Sequence, residues 1–169
     1  LYFIHHIATS IRIETLLEKL AVEACAAVDH VFPERLGHGQ PDEAVGQPLP
    51  DDFVTDSRQI AADSDGYVQG IGGDVLMRIA AKNDLILQIA ARPGVFVTKG
   101  ACVIIVYPKA RVSDKIDEDL RGAVVIGRDR TPYQDLEFAI RRIVELAQRS
   151  LSPGINDPTT ALYCIDRLG

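Results

Sequence analysis

Apolar side chains recur every three to five residues along the first thirty positions of the chain. This spacing follows one face of an α-helix and predicts a single long helix over residues 2–31. Pro33 ends it, because proline lacks an amide hydrogen and disfavours helical geometry at the preceding residue. A helix of ~30 residues rises about 45 Å, and its apolar stripe indicates self-association. The stripe consists of Ile4, Ile7, Ala8, Ile11, Leu16, Leu20, Ala24 and Val28.

The pattern changes in the middle of the chain. Over residues 33–64 proline and glycine mix with acidic residues and no apolar period remains, which is typical of a connector. Asp74 is expected to cap a short helix that runs to Lys82, and another short helix is expected to begin at Asp114. Short apolar runs predict strands at 66–69, 85–89, 95–97, 101–107 and 123–126. The run at 101–107 is apolar throughout and is expected to form a central strand.

Two helices are predicted near the end of the chain. Thr131 is expected to cap the first, with Pro132 in its first turn, and this helix should run to about Ser150. Asp157 and Pro158 repeat the same arrangement at the start of the second. Oppositely charged residues four positions apart should pair on the outside of the first helix, Glu137 with Arg141 and Glu145 with Arg149.

These elements predict an α+β fold with a long N-terminal helix, a small β-barrel-like or sandwich-like unit with a short helix, and C-terminal helices. The expected organisation is a juxtamembrane helix at 1–32, a connector at 33–64, a mixed β unit at 65–130 and a helical segment at 131–169. The last predicted helix stops after one or two turns, so we expect the helical segment to be truncated.

Composition narrows the function classes. Of the 169 residues, 47% are apolar and 25% are charged, which is the globular average and excludes fibrous or wholly disordered chains. The net charge of −6 argues against a nucleic-acid partner, because an acidic chain repels phosphates. The chain has an odd number of cysteines and no C-x-x-C pair; they are Cys25, Cys102 and Cys164. We therefore expect buried, reduced thiols in a reducing compartment.

The first residues are expected to lie next to a membrane. No apolar run reaches ~18 residues, so no span is predicted here, but the chain begins without methionine and is expected to follow a missing upstream segment. Tyr2, Phe3, His5 and His6 are predicted to be membrane-proximal, since aromatic and apolar residues favour the headgroup region. Adjacent helical histidines point about 100° apart, so we expect no metal site there.

The strongest candidate for a binding site lies at the start of the last helix. A helix N-terminus presents amide hydrogens that suit an anion, and Asp157 could instead hold a cation or a water. The alternative is a turn and helix cap without a ligand. The candidate ligand-binding residues are Asn156, Asp157, Thr159, Thr160, Arg128 and Arg130. The acidic residues at 114–119 are predicted to form a solvated face. No hydrolase, nucleotide or metalloprotease motif occurs, so no catalytic residue and no metal site are predicted.

The C-terminal part also resembles a known family. The matching pieces are Arg130-Thr131, Gln134-Asp135, Glu137-Phe138, the run SPGINDPTTA at 152–161, and Cys164-Ile165-Asp166. They resemble the signature of a bacterial family of predicted membrane proteins, domain-of-unknown-function family 2254, and the segment at 2–8 is similar to the one that follows this family's last membrane helix. The resemblance covers nearly the whole chain. It implies an upstream membrane region followed by a soluble part, and it implies no reaction.

A second resemblance concerns residues 93–103. Their two glycine turns around a short strand are similar to the hairpin of biotinyl and lipoyl carrier barrels. The acceptor lysine that those carriers place on a tight hairpin tip is not seen, so no prosthetic group and no other cofactor are expected.

Two functions remain open on this basis. The first is a non-enzymatic assembly or gating module: the soluble, cytoplasm-facing domain of a bacterial membrane protein, which associates with itself and reaches the membrane through the upstream segment. The second is a ligand- or ion-binding domain, enzymatic or not, with its site around Asn156 and Asp157. We favour the first, and with it the expectation that the domain is not an enzyme.

Overall fold

The computed structural model describes the backbone of residues 2–31 and 48–169 and the side chains of residues 13–30 and 48–169. The fold is mixed α and β, as predicted, with a long N-terminal helix, two small antiparallel sheets and C-terminal helices. It divides into two compact units. We call Leu1–Pro33 with Thr131–Gly169 the helical unit, and Glu34–Arg130 the sheet unit.

Helix α1 covers Tyr2–Val31, which confirms the predicted length. Its buried face matches the predicted stripe only in part, at Leu20 and Ala24. Leu16 and Val28, both assigned to the apolar stripe, are 43% and 41% exposed, whereas the neighbouring Leu17 and Ala27 are buried. The residues that pack are therefore three and four positions apart along the helix, beginning with Leu17 and Leu20. Part of the stripe expected to drive self-association is thus used inside the helical unit.

Two further helices complete the helical unit, α4 at Leu136–Ser150 and α5 at Pro158–Asp166. Both pack on α1 and on each other. The buried side chains at their junction form a small core of Leu17, Leu20, Ile143 and Cys164. An ion pair between Glu23 and Arg142 joins α1 to α4 beside this core.

The sheet unit contains two three-stranded antiparallel sheets. Their strands are β1 (Arg58–Ala61), β2 (Gly66–Ile71), β3 (Ile86–Ile89), β4 (Phe96–Val97), β5 (Cys102–Tyr107) and β6 (Val124–Gly127). One sheet has the order β1-β5-β3 and the other β4-β2-β6. Strand β5 is central, as its continuous apolar run predicts. Among the described residues the strands close no barrel, so the sandwich-like alternative is the one observed.

One core serves both sheets. Ile60 of β1 lies opposite Ile104 of β5, and neither side chain is exposed. Val68 of β2 and Val124 of β6 belong to the same buried cluster. Strand β1 was not predicted, because Ile60 is its single large apolar residue and the strand is short and otherwise polar. Residues 33–47 of the expected connector lie outside the described residues.

Two short helices cover the sheet unit. Helix α2 spans Gly73–Asn83, and its N-cap is Gly72 and not the predicted Asp74. Asp74 lies in the first turn, where its carboxylate interacts favourably with the helix dipole. Helix α3 spans Asp114–Gly122, and the hydroxyl of Ser113 caps it by accepting a hydrogen bond from the amide of Ile116 at 3.3 Å.

Candidate functional site

The turn between α4 and α5 is held by its own hydrogen bonds. The amide of Asp157 donates to the carbonyl oxygen of Ser150 at 2.7 Å, and the amide of Asn156 donates to that of Ser152 at 2.8 Å. Asn156 has a φ of 48°, in the left-handed region that asparagine tolerates better than most residues. This geometry turns the chain sharply and positions Asp157 at the start of α5.

Asp157 caps α5, as predicted. One carboxylate oxygen accepts a hydrogen bond from the amide of Thr160 at 3.2 Å, and the other accepts from the Thr160 hydroxyl at 2.7 Å. Thr160 is buried, while Asn156 and Thr159 are exposed. Both carboxylate oxygens therefore bond to the helix that Asp157 caps.

The structure gathers four of the six predicted ligand-binding residues at the N-terminus of α5, namely Asn156, Asp157, Thr159 and Thr160. Arg128, which is exposed, and Arg130, which is half-buried, belong to the sheet unit. A ligand at this place stays a prediction. The side chains of the predicted membrane-proximal residues, Tyr2, Phe3, His5 and His6, lie outside the described residues.

The predicted start of α4 is wrong by one turn. The helix begins at Leu136, and the carboxylate of Asp135 caps it by accepting a hydrogen bond from the amide of Phe138 at 3.0 Å. Asp135 is 6% exposed. Aspartate is a stronger N-cap than threonine, which explains why position 135 prevails over position 131. The hydroxyl of Thr131 is buried and has no hydrogen-bond partner among the described residues.

A buried carboxylate in α3 was also missed. The acidic residues at 114–119 were expected to face solvent, but Asp117 is only 6% exposed. Its carboxylate lies 2.9 Å from the guanidinium of Arg58 and forms a second ion pair with Arg121. Leu120, fully buried three residues later on the same helix face, is the sequence signal that could have revealed this orientation.

The two arginines connect α3 to the sheet beneath it. Arg58 donates to the carbonyl oxygen of Val112 at 3.1 Å, and Arg121 donates through Nε to that of Ala61 at 3.0 Å. Each guanidinium thus bonds to Asp117 and to the backbone. This is a structural network, because charges so fully paired have little capacity left for a ligand.

The remaining titratable groups act locally. Tyr107 donates a hydrogen bond to the carboxylate of Asp52 at 3.0 Å, and this bond raises the pKa of Tyr107 above its ordinary value. Burial raises the pKa of the Cys102 and Cys164 thiols. The expectation that all three thiols are buried holds for Cys164 alone, since Cys25 is exposed and Cys102 is half-buried. No cluster of three or more potential metal ligands occurs among the described side chains.

Comparison with known proteins gives the family context. A family model described as "Predicted membrane protein (DUF2254)" matches residues 1–169. Uncharacterized proteins of Mycobacterium bovis and Mycobacterium tuberculosis are 32% identical over 173 residues. The alignments cover 99% of this chain and 32% of each relative, so the chain spans about a third of the length of these curated relatives. Within the described part of the chain, no helix is both long and apolar enough to cross a bilayer.

Proposed function

The chain belongs to the DUF2254 family of predicted membrane proteins. We propose that it forms a non-enzymatic assembly or gating module of a membrane protein and that this module lies outside the lipid bilayer. In this proposal the helical unit associates with further copies of the protein. The family match supports the membrane context. The surface of the helical unit supports the assembly role.

The observation that carries the proposal is an apolar surface on α5 and the turn before it. Leu162 and Ile165 of α5 are 60% and 62% exposed. Other large apolar side chains of the same segment are also exposed, namely Leu151, Ile155, Tyr163 and Leu168. Exposed apolar residues concentrated on one short segment are typical of a surface that packs against protein.

The polar groups of the same segment support a structural role. Both oxygens of Asp157 bond to Thr160, and the hydroxyls of Ser150 and Ser152 donate to backbone carbonyl oxygens one turn earlier, each at 2.7 Å. These groups hold the turn and the helix ends. Apolar side chains therefore make up much of what this segment exposes, beside the exposed Asn156, Thr159 and Asp166.

The test is the oligomeric state of the full-length protein in lipid nanodiscs, measured by mass photometry. We expect more than one copy per particle. Replacing Leu162 and Ile165 together by glutamate should reduce the number of copies, because the carboxylates would have to be buried in the contact. Val54→Glu is the matched control, since Val54 is 88% exposed in the sheet unit and its replacement should change nothing. A strictly monomeric unmodified protein would overturn the proposal.

The alternative is a ligand- or ion-binding domain at the N-terminus of α5, favoured by the four predicted residues that meet there. Thermal-shift measurements with inorganic phosphate and with divalent cations test it on the full-length protein. The assembly proposal predicts no shift. A shift that disappears in Asp157→Ala but persists in Asp135→Ala, the equivalent cap of α4, would favour ligand binding.

We also propose that the module faces the cytoplasm, and the exposed thiol of Cys25 supports this because a reducing compartment keeps such thiols unpaired. A membrane-impermeant maleimide should label Cys25 only after the cells are permeabilised. Cys25→Ser identifies the labelled site. Equal labelling of intact cells would place the module on the other side of the membrane.

A further inference from the structure

Strand β6 has one edge to which no other strand bonds within the described part of the chain. Its sheet has the order β4-β2-β6, so β6 pairs with β2 on one side only. The strand is four residues long and consists of apolar residues and glycine, without the charged side chain or proline that often protects an edge strand. Such an edge can accept a further strand, because it presents unpaired backbone donors and acceptors in a row.

The hydrogen bonds of β2 show which backbone groups of β6 point to this edge. The amide of Val68 donates to the carbonyl oxygen of Val95 at 2.9 Å, and the amide of Gly94 donates to the carbonyl oxygen of Val68 at 2.7 Å. Val68 thus bonds towards β4 and away from Ile126, its opposite residue on β6. In such an antiparallel pair the amide and the carbonyl of Ile126 also point away from β2. The extra residue of the bulge belongs to β2, so β6 alternates regularly and Val124 presents its backbone at the same edge.

A groove with a volume of about 540 Å³ lies beside β6. Val124, Val125 and Ile126 are among the residues that line it. Neighbouring side chains of a strand point to opposite faces of its sheet, so a groove that meets three consecutive residues lies at the edge and not on one face. Its other lining residues come from the turn between β1 and β2 and from the end of α3, namely Asp63, Ser64, Glu118, Arg121 and Gly122.

The charges that the groove offers are negative. Asp63 accepts a hydrogen bond from the Ser64 hydroxyl at 3.1 Å, but among the described side chains neither Asp63 nor Glu118 forms an ion pair, and both residues are exposed. The guanidinium of Arg121 is already paired with a buried carboxylate of its own helix. Gly122 is the last residue of α3, where the helix dipole is negative. The groove therefore favours a cationic side chain.

We propose that an extended, basic segment of a partner protein adds to the free edge of β6 as a fourth strand of this sheet. Its backbone bonds to that of Val124 and Ile126, and one of its lysine or arginine side chains lies beside Asp63 and Glu118. Val125, which is 54% exposed, provides an apolar neighbour for the added strand. This inference concerns the sheet unit alone and does not rest on the proposed self-assembly.

A fluorescein-labelled hexapeptide of alternating lysine and valine is the probe for this edge. The full-length protein is held in phosphatidylcholine nanodiscs, whose lipids have no net charge and do not attract the peptide. Fluorescence anisotropy should show binding with a dissociation constant below about 1 mM. The same peptide N-methylated at every amide keeps its charges but has lost its strand donors, so it should bind at least ~10-fold more weakly. Absence of binding, or equal binding of the two peptides, would overturn the proposal.

Removal of the two carboxylates tests the charge recognition. Asp63→Asn/Glu118→Gln should raise the dissociation constant of the unmethylated peptide by about 5-fold, because its lysines lose both partners. Asp74→Asn/Asp119→Asn is the matched control, since it removes the same charge from exposed positions of the sheet unit that do not line the groove, and it should bind as the unmodified protein does. Equal affinities of the two double variants would overturn a basic partner.

Hydrogen–deuterium exchange locates the bound peptide. Binding should slow the exchange of the β6 amides and leave those of β3, an edge strand of the other sheet, unchanged. Protection of β3 or of the helical unit without protection of β6 would overturn the assignment. The oligomeric state of the protein is measured separately, so failure of strand addition leaves the proposed self-assembly untouched, and a monomeric protein leaves strand addition untouched.

Discussion

The two units of this chain treat their apolar residues differently. In the sheet unit, both sheets contribute to one core in which Ile60, Ile104 and Val106 have no exposed surface. In the helical unit, three helices share a core of four buried residues, while Leu162 and Ile165 of α5 remain more than half exposed. The sheet unit thus has the larger core, although Val54, Met77 and Phe96 stay exposed in it, whereas the exposed apolar residues of the helical unit concentrate on α5 and the turn before it.

The two units also use their aspartates differently, of which Asp117 and Asp135 are buried and Asp157 is half-buried. Asp117 of the sheet unit pairs with two arginines and ties α3 to β1. Asp135 and Asp157 of the helical unit bond to the amides of their own helices. Asp117 is thus held by charge pairing with a distant part of the chain and the two caps by local bonds, although Glu23 and Arg142 form a long-range ion pair in the helical unit as well. The predictions below test this difference.

The largest effect is expected from cavities in the two cores. Ile104→Ala should lower the free energy of unfolding by about 4 kcal/mol, because the enclosed sheet core cannot collapse around the space. Ile143→Ala should cost less, about 2–3 kcal/mol, because a small core between three helices relaxes more easily. Urea unfolding followed by circular dichroism measures both. A greater loss for Ile143→Ala would contradict the comparison.

The next effect concerns the buried carboxylate of α3. Asp117→Asn should cost about 2–3 kcal/mol, somewhat less than for fully buried ion pairs, because the Arg58 and Arg121 side chains are 38% and 36% exposed. Asp114→Asn is the control, since its side chain is fully exposed 3.6 Å from Arg58, and it should leave the free energy of unfolding nearly unchanged. Equal losses in the two variants would show that burial of Asp117 is unimportant.

Helix capping should have a smaller effect. Asp135→Ala and Asp157→Ala should each lower stability by about 1 kcal/mol, because an amide at the start of each helix loses its acceptor. Asp→Ser at the same positions should retain most of the stability, since serine also caps well. Thermal unfolding distinguishes them, and an unchanged Asp157→Ala protein would show that the cap is not needed.

The smallest effect is a pH dependence at Tyr107. Its bond to Asp52 raises the pKa of Tyr107 in the folded state, so the neutral phenol is favoured there. The resulting stabilisation is present below the unfolded pKa of about 10 and is lost as the pH rises through the folded pKa. Urea midpoints between pH 8 and 11 should fall less in Tyr107→Phe than in the unmodified protein. Parallel curves would contradict this assignment.

The sequence predicts the features that depend on local patterns. The length of α1, the central position of β5 and the cap at Asp157 follow from periodicity, from a continuous apolar run and from an Asp-Pro pair. Strand β1 could not be predicted, because its four residues carry little apolar signal and their pairing with β5 is a long-range contact. The burial of Asp117 depends on Arg58, which lies far away in the sequence and comes close only in the folded chain.

In the candidate site, too, the sequence predicts the features that depend on local patterns and misses those that depend on the folded structure. The SPGINDPTTA run marked the turn and the helix start at α5, but the pairing of both Asp157 oxygens with Thr160 needed coordinates. The start of α4 was misplaced because Thr131-Pro132 and Asp135 both fit an N-terminus, and the stronger capping preference of aspartate favours Asp135.

Hydrogen–deuterium exchange on the full-length protein in nanodiscs tests most directly whether the helical unit is the part that packs against a partner. The amides of α5 should exchange more slowly in the unmodified protein than in the Leu162→Glu/Ile165→Glu variant, while those of β5 should exchange equally in both. Equal exchange of α5 in the two proteins, or a change confined to the sheet unit, would contradict the account.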